Sequence, residues 1–372
     1  MKTPFRVFTA VVLCAVSLAC YWYGRTAEAK SGRTANVIRT VAPAAGSPAR
    51  ADWRLGSPSS YKNLTVFPVI GAEPASGAEF ITLDEGLRSG KVVITELGAD
   101  GNARAIVRRG NDRAEVNRLA VTNNSGKTLV LIAGEMILGG KQDRIVGHDC
   151  IIESSAAPVP LDVFCVEHGR WSGAASFGQD TAGSGQVKTS MVGMTAAPMA
   201  LPKIREKAQA KKNQSDVWSE VAKTVTVNGA STSTGTLTSV YQDKRVNARL
   251  AEYESAFAGK LSANDVIGVV AAVGGRIISA DVFANHSLFQ AYWPKMLKSY
   301  ALEAVGTSAS AAQVSKSDAE AFLARVEGSS ASGGHDGVYR LAENQSTADA
   351  SFELEYTRKT PTLIHFNRVS KK

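Results

Sequence analysis

The sequence predicts an α+β fold, with a strand-rich N-terminal half built on a mixed or antiparallel sheet, and helices and a β-hairpin in the C-terminal half. Three observations carry that prediction. Between residues 61 and 167, short apolar runs alternate with turn-forming Gly, Asn and Ser clusters, the pattern of successive strands. Between 266 and 283, two β-branched runs flank Gly274-Gly275, and a two-residue hairpin turn needs positive φ at both positions, which glycine supplies. Between 288 and 304, Leu288, Phe289, Tyr292, Trp293, Met296, Leu297, Tyr300, Ala301 and Ala304 recur at the spacing of a helix that buries an aromatic face. The composition agrees with a globular chain: of 372 residues 44% are hydrophobic and 20% charged, which excludes a disordered or collagen-like protein.

Taken in order, strands are expected at 64–70, 91–96, 103–108, 118–122, 128–132, 142–146, 150–153 and 160–167, with one or two helical turns at 83–88. Asn123-Asn124-Ser125-Gly126 is a good turn between two of these strands. Residues 168–200 are rich in Gly, Ser, Ala and Thr without period, and a loop of that length is either functional or disordered. Helices are expected at 202–210, at 215–223 with Val217, Trp218 and Val221 on one side, and at 243–261. Residues 224–239 read as a Thr/Ser loop. The aromatic helix contains Pro294, which should kink it or mark its first turn. A helix at 317–326, a Gly/Ser linker at 328–336 and closing strands at 337–341, 351–356 and 362–366 complete the chain. There is no internal repeat.

The N-terminus has its own character. Lys2 and Arg6 precede an uncharged run from Val7 to Gly24, and Ala27-Glu28-Ala29 offers the small residues a signal peptidase prefers. Two readings stand for residues 1–29. One is a cleaved signal peptide. The other is a retained membrane anchor across residues 7–24, with Tyr21, Trp22 and Tyr23 at the interface. Either one places the remainder outside the cytoplasm, periplasmic or extracellular or tethered at the membrane, with membrane contact only through this segment. Residues 30–60, with Pro43, Pro48 and Pro58 and no hydrophobic period, read as a flexible linker. The formal charge of +8 is concentrated here: residues 1–60 carry eight basic against two acidic side chains, which leaves the rest near neutral. A nucleic-acid binder concentrates positive charge on its folded surface, so nucleic acid is not an expected partner.

An oxidising compartment permits Cys150 and Cys165 to pair. A bridge between them would close a loop of about 16 residues, worth roughly 3 kcal/mol by loop-closure entropy. No Gly-x-Ser-x-Gly, Cys-x-x-Cys or His-Glu-x-x-His occurs. Gly126-Lys127-Thr128 resembles the tail of a phosphate loop but lacks its first glycine and its helix. The five histidines show no metal-ligand spacing, and no motif implies a cofactor.

Two stretches carry candidate chemistry. Gly134-Glu135 and Gly139-Gly140-Lys141-Gln142-Asp143-Arg144 combine a carboxylate with a Gly-Gly bend whose N–H groups form an anion-binding nest, followed by Lys141, Gln142 and Arg144. Cys165-Val166-Glu167-His168-Gly169-Arg170-Trp171 ends a strand and opens the long loop, a common place for functional side chains on a rigid scaffold. Glu135 and Glu167 are the candidate acid–base groups. Lys141, Arg144 and Arg170 are candidate anion ligands, with Gln142 orienting and Trp171 stacking on the ligand. The bland alternative is that Glu135 with Arg144, or Glu167 with Arg170, are internal ion pairs.

Together these segments resemble the ARG and rhodanese-phosphatase-superfamily-associated protein domain family. The carriers are 61–68, 83–87, Gly134-Glu135, Gly139 to Arg144, Cys165-Val166-Glu167, Gly169-Arg170-Trp171, Gln214, Val217-Trp218, Asp281-Val282-Phe283, Leu288-Phe289 and the aromatic helix. The resemblance covers about 61–310, with 311–372 completing or extending the domain. It implies association with ADP-ribosylglycohydrolases and rhodanese-phosphatases, and through them with NAD-derived or ADP-ribosyl chemistry. Two functions follow as expectations: an exported domain that binds or processes an anionic small molecule, nucleotide- or ADP-ribose-like, or a non-catalytic binding or scaffold module of the cell envelope with a protein partner.

Overall fold

The computed structural model describes residues 52–72, 79–96, 117–140, 142–169, 176–177, 198–308, 310, 312–325, 329–335, 337–358 and 360–371. All of them belong to one of the chain's two units, Ile38–Lys372. The segment read as signal peptide or anchor, the strand expected at 103–108 and most of the long loop lie outside the described residues.

The architecture is α+β, and the described residues form three sheets. The largest runs in the order β1 (Arg54–Leu55), β3 (Leu64–Ile70), β13 (Val266–Val273), β14 (Arg276–Phe283), β18 (Thr362–Ser370), β17 (Asp349–Tyr356), β16 (Tyr339–Gln345) and β15 (Ser329–His335), with β2 (Ser59–Tyr61) also on β3. Every pairing in it is antiparallel. Its centre is the Gly-Gly hairpin. Gly274 and Gly275 have φ of 57° and 78°, and every residue of β13 is buried, because helices cover both faces. A Cβ on Gly275 would stand 2.6 Å from the Ala312 Cβ and 2.7 Å from its carbonyl oxygen. Gly275→Ala is therefore expected to lose about 1–3 kcal/mol, from backbone strain and that clash. A shift of the urea midpoint measures it.

The expected linker does not run to residue 60. Ser59, Ser60 and Tyr61 pair with Val66, Thr65 and Leu64, and Arg54-Leu55 pairs with Ile70 and Val69. Backbone pairing decides here, where the side chains show no period. The same holds at 328–336, read as a Gly/Ser linker. There β15 zips along β16 through all seven of its residues, an edge strand held by main-chain bonds.

The other two sheets are smaller. One runs β10 (Cys150–Ile152), β7 (Thr128–Leu131), β4 (Phe80–Thr82), with β4 and β7 parallel. The other runs β12 (Ser176–Phe177), β5 (Val92–Glu96), β6 (Arg118–Asn123), β11 (Ser155–Cys165), β9 (Arg144–Val146), β8 (Met136–Ile137). The turn at 123–126 joins β6 to β7 without making a hairpin, because those strands belong to different sheets. The Asn123 amide bonds the carbonyls of Lys127 and Ile152, both at 2.9 Å, and so turns the chain from one sheet to the other. Ile94, Leu119, Val121, Leu129, Leu131 and Leu161 form the dry layer between them.

Helices begin with α1 (Leu83–Arg88), fixed by a capping box in which Thr82 and Glu85 satisfy each other's backbone. α2 (Pro202–Glu206) continues through a π-turn to Lys211. α3 (Gln214–Val227) is capped by Asn213 rather than at Ser215, and it extends into the expected 224–239 loop, whose end forms α4 (Thr238–Gln242). α5 (Lys244–Phe257) is capped by Asp243. α6 (His286–Val305) runs through Pro294. Together with α5 it packs on one face of the large sheet, while α7 (Lys316–Ala324) covers part of the other with Ala319, Phe322 and Leu323. Among the described residues no helix is long and apolar enough to cross a membrane.

Candidate functional site

The residues singled out in the sequence fall into three buried groups. After β7 the chain turns at Gly134, φ 87°, where a Cβ would meet the Arg205 stem at 2.5 Å. Glu135 then points inward. Its Oε2 accepts the Ile132 N–H at 2.8 Å and its Oε1 accepts Lys295 Nζ at 2.7 Å. Lys295 also reaches Asp84 Oδ2 at 2.7 Å, and Tyr292, one turn earlier on α6, donates to the Val130 carbonyl at 2.8 Å with its oxygen 3.4 Å from Glu135. Burial raises the Glu135 carboxyl above the usual carboxylate range, partly offset by Lys295. Burial opposes the Lys295 charge, but the two carboxylates outweigh it and raise the ammonium. The partner of Glu135 is thus Lys295.

Arg144 is occupied elsewhere. Fully buried, it forks onto Glu96, Nη1 to Oε1 at 3.0 Å and Nη2 to Oε2 at 3.2 Å, and ties β9 to β5. A second bond from Nη1 goes to the Gln142 carbonyl. Arg144 therefore has no face turned to a ligand.

The third group closes the Gly-Gly bend. Gly139 and Gly140 have φ of 100° and 57°. The anion their loop receives is the chain's own: Asp143 Oδ1 accepts the Gly139 N–H at 3.1 Å, and its Oδ2 accepts the hydroxyls of Thr236 and Thr238 at 2.9 and 2.7 Å. Glu167 repeats the arrangement, taking the Asp143 N–H at 3.0 Å and the Thr234 hydroxyl at 2.7 Å, while Gln142 Nε2 donates to the Glu167 carbonyl at 2.8 Å. Gln214 clamps the strand end by bonding both the N–H and the carbonyl of Cys165, as a neighbouring strand would. Lys141, Arg170 and Trp171 lie outside the described residues.

Cys150 and Cys165 are both buried, and no disulfide joins them. They stand on β10 and β11, in different sheets, so the permitted bridge is not formed. Burial pushes the Cys165 thiol up to about 11, against the pull of Arg144 beside it, and pushes Cys150 higher still, helped by Asp149. Neither thiol is a nucleophile at neutral pH. An alkylating reagent at pH 8 is expected to leave both unmodified in the native chain and to label both in denaturant. Peptide mass spectrometry reads the result, and rapid native labelling of Cys165 would contradict it.

A fourth group escaped the sequence reading. Asp281, mid-strand in β14, receives Arg205 Nη2 at 2.5 Å, Tyr300 Oη at 2.5 Å, Ser279 Oγ at 2.7 Å and Asn367 Nδ2 at 2.9 Å. His365 stands between it and Asp149: Nδ1 is 2.6 Å from Asp149 Oδ2, and Nε2 is 3.4 Å from Asp281 Oδ1. The Ala133 N–H and Gln209 complete the shell of Asp149. Burial alone would raise the Asp281 carboxyl, but Arg205 and His365 hold it far below the carboxylate range. Burial alone would lower His365, but Asp149 and Asp281 raise it to about 9. The visible signal was a charge inside an apolar run: Asp281 in β14, His365 and Arg368 in β18, Lys295 on the aromatic face of α6.

An open cleft of about 560 Å³ adjoins the end of β11. One wall is a single face of α3, where Ser215, Trp218, Ser219 and Thr226 line up at helical spacing; the other carries His168 and Thr232. The His168 ring meets Trp218 edge to face at 4.6 Å. The loop that carries Thr232 is the one that holds Glu167 through Thr234, and Gly169 N–H donates to the Thr234 carbonyl at 2.7 Å. The second sequence stretch therefore does end at a cavity, through His168 rather than through its carboxylate. Among the described residues no group of His, Cys, Asp or Glu is placed to hold a metal ion.

In comparison with known proteins, the model of the ARG and Rhodanese-Phosphatase-superfamily-associated Protein domain matches residues 52–369, and so extends the resemblance at both ends. No curated protein and no solved structure matches the chain.

Proposed function

The chain belongs to the ARG and Rhodanese-Phosphatase-superfamily-associated Protein domain family, and on that premise we propose that it is a non-catalytic binding module of the cell envelope, carried out of the cytoplasm by its N-terminal segment. A small molecule seated in the cleft beside β11 is its ligand. One observation supports this above the rest. The groups expected to do chemistry are committed to the framework: Glu135, Arg144 and Glu167 are 1%, 0% and 3% exposed and engage Lys295, Glu96 and the 139–143 turn. The cleft stays open and lined by side chains of binding type.

Processing of an anionic ligand, nucleotide- or ADP-ribose-like, is the second reading. What favours it is the raised Glu135 carboxyl with Lys295 and Tyr292 in reach, an arrangement suited to proton transfer. Glu167→Gln separates the readings. As a framework change it is expected to lose about 1–2 kcal/mol of stability through weakened buried hydrogen bonds, with ligand affinity retained. A thermal-shift screen of the intact chain against ADP-ribose, NAD, nucleotides, sugars, sugar phosphates and divalent metals supplies the ligand. A compound at 100 times its dissociation constant adds about 2.7 kcal/mol. Turnover of any hit, abolished in a folded protein by Glu135→Gln or by Glu167→Gln, would establish the enzyme instead. A flat screen with a well-folded chain would move the module's partner to a protein.

A further inference from the structure

The composition of the cleft is selective. Its described lining offers the hydroxyls of Ser215, Ser219, Thr226 and Thr232, the rings of His168 and Trp218, and small aliphatic surface; it includes no Asp, Glu, Lys or Arg. The hydroxyls are not equivalent. Thr226 donates to the Ala222 carbonyl at 2.9 Å and Thr232 Oγ1 accepts backbone N–H groups of its own loop, the shortest from Gly235 at 3.0 Å. Ser215 and Ser219, one turn apart and exposed, face the opening with Trp218 between them. Among the described lining residues a phosphate or carboxylate would shed water without meeting a counter-charge, which is unfavourable. An uncharged hydrocarbon would leave the serines unpaired. A ring with one apolar face and a rim of hydroxyls satisfies both walls: its C–H face packs on the aromatic pair and its hydroxyls exchange bonds with Ser215 and Ser219.

We propose that the α3 cleft binds an uncharged saccharide, stacked on Trp218 and His168 and held at its rim by Ser215 and Ser219. This rests on the binding-module reading and gives it a ligand class. The volume suits a ligand of one or two sugar rings. The apolar side of α3, Val217 and Val221, faces the core, so the helix presents this second face without loss to folding.

The test uses the full chain with maltose, cellobiose and the N-acetylglucosamine dimer as neutral probes, and with glucose 6-phosphate, ADP-ribose and inorganic phosphate as charged ones. Binding is followed by saturation-transfer NMR and calorimetry. At least one neutral disaccharide is expected to bind, with Trp218→Ala weakening it by about tenfold or more, the scale of a lost ring contact. Ser219→Glu places bulk and charge on an exposed helical position, leaves the fold intact and should weaken binding similarly. It is the control should Trp218→Ala unfold. Charged probes that bind in a Trp218-dependent way while neutral ones do not would overturn the saccharide and leave the binding module standing. Neutral binding untouched by both changes would overturn the cleft. No binding by any probe, in a chain shown to be folded, would remove the saccharide class and the small-molecule reading together.

Discussion

Lys295→Met is expected to destabilise the fold by about 3–5 kcal/mol, the cost of removing one partner from a buried ion pair. Methionine keeps the aliphatic stem, so the loss isolates the ammonium, including its place 5.0 Å from the Tyr292 ring centre. The two carboxylates left behind set the size. Glu135 Oε1 and Asp84 Oδ2 each stand 2.7 Å from the Lys295 nitrogen, with side chains 1% and 13% exposed. Without the ammonium, they face one another where water scarcely reaches. The response to pH has a definite sign. A carboxyl raised further in the folded state binds its proton more tightly there than in the unfolded chain, so the variant should recover stability as pH falls from 7 toward 5. Urea titrations at the two pH values measure both. A loss under about 1 kcal/mol, with no acid recovery, would mean that the pair is solvated and contributes as a surface bridge does.

Where the fold was legible in the sequence, the cause was local. Gly274-Gly275 announces its hairpin because the turn needs positive φ whatever surrounds it. The aromatic run of α6 announces a helix because its period is intrinsic, and the helix passes Pro294 without a break. The Gly139-Gly140 bend was legible as a turn with inward N–H groups. What fills it was not, because Asp143 and the threonines at 236 and 238 meet only through the tertiary fold. The same limit hid the partners of the charged candidates. Glu135 finds Lys295, 160 positions later, and Arg144 finds Glu96, 48 positions earlier. Sequence showed that these charges needed partners and could not say which. The Gly/Ser strand β15 failed for the opposite reason: its side chains carry no period, and the bonds that make it a strand belong to the backbone. The cleft was half visible. Trp218 was among the residues that carry the family resemblance and His168 lay within the candidate stretch 165–171, yet only folding of α3 against the 232–235 loop makes them face one another.

The second large effect is an alkaline loss of stability through His365. This ring is fully buried between Asp149 and Asp281, and it stacks on Phe283 with centroids 4.5 Å apart. Protonated, it balances the two carboxylates together with Arg205; neutral, it leaves one buried negative charge uncompensated. Its folded value of about 9 exceeds the unfolded value near 6.5, so the folded chain holds the proton more tightly. The contribution is then fully present below pH about 6.5, declines across the window and is gone above about 9. Its size is roughly 3 kcal/mol, at about 1.4 kcal/mol for each tenfold gain in proton affinity. Two other shifted groups bear on the edges of this window. His148, lowered mainly by burial, favours the fold as pH rises toward its unfolded value and is complete by then. Cys165, pushed up to about 11, costs stability only once free thiols begin to ionise, at the upper edge. Denaturant midpoints at constant ionic strength should therefore fall steadily from pH 6.5 to 9. In His365→Gln the protein should be less stable at pH 6.5 and nearly flat across the same range, because no proton is left to lose. A wild-type curve as flat as the variant's would show that His365 is neutral in the fold and that Arg205 alone balances the pair of aspartates.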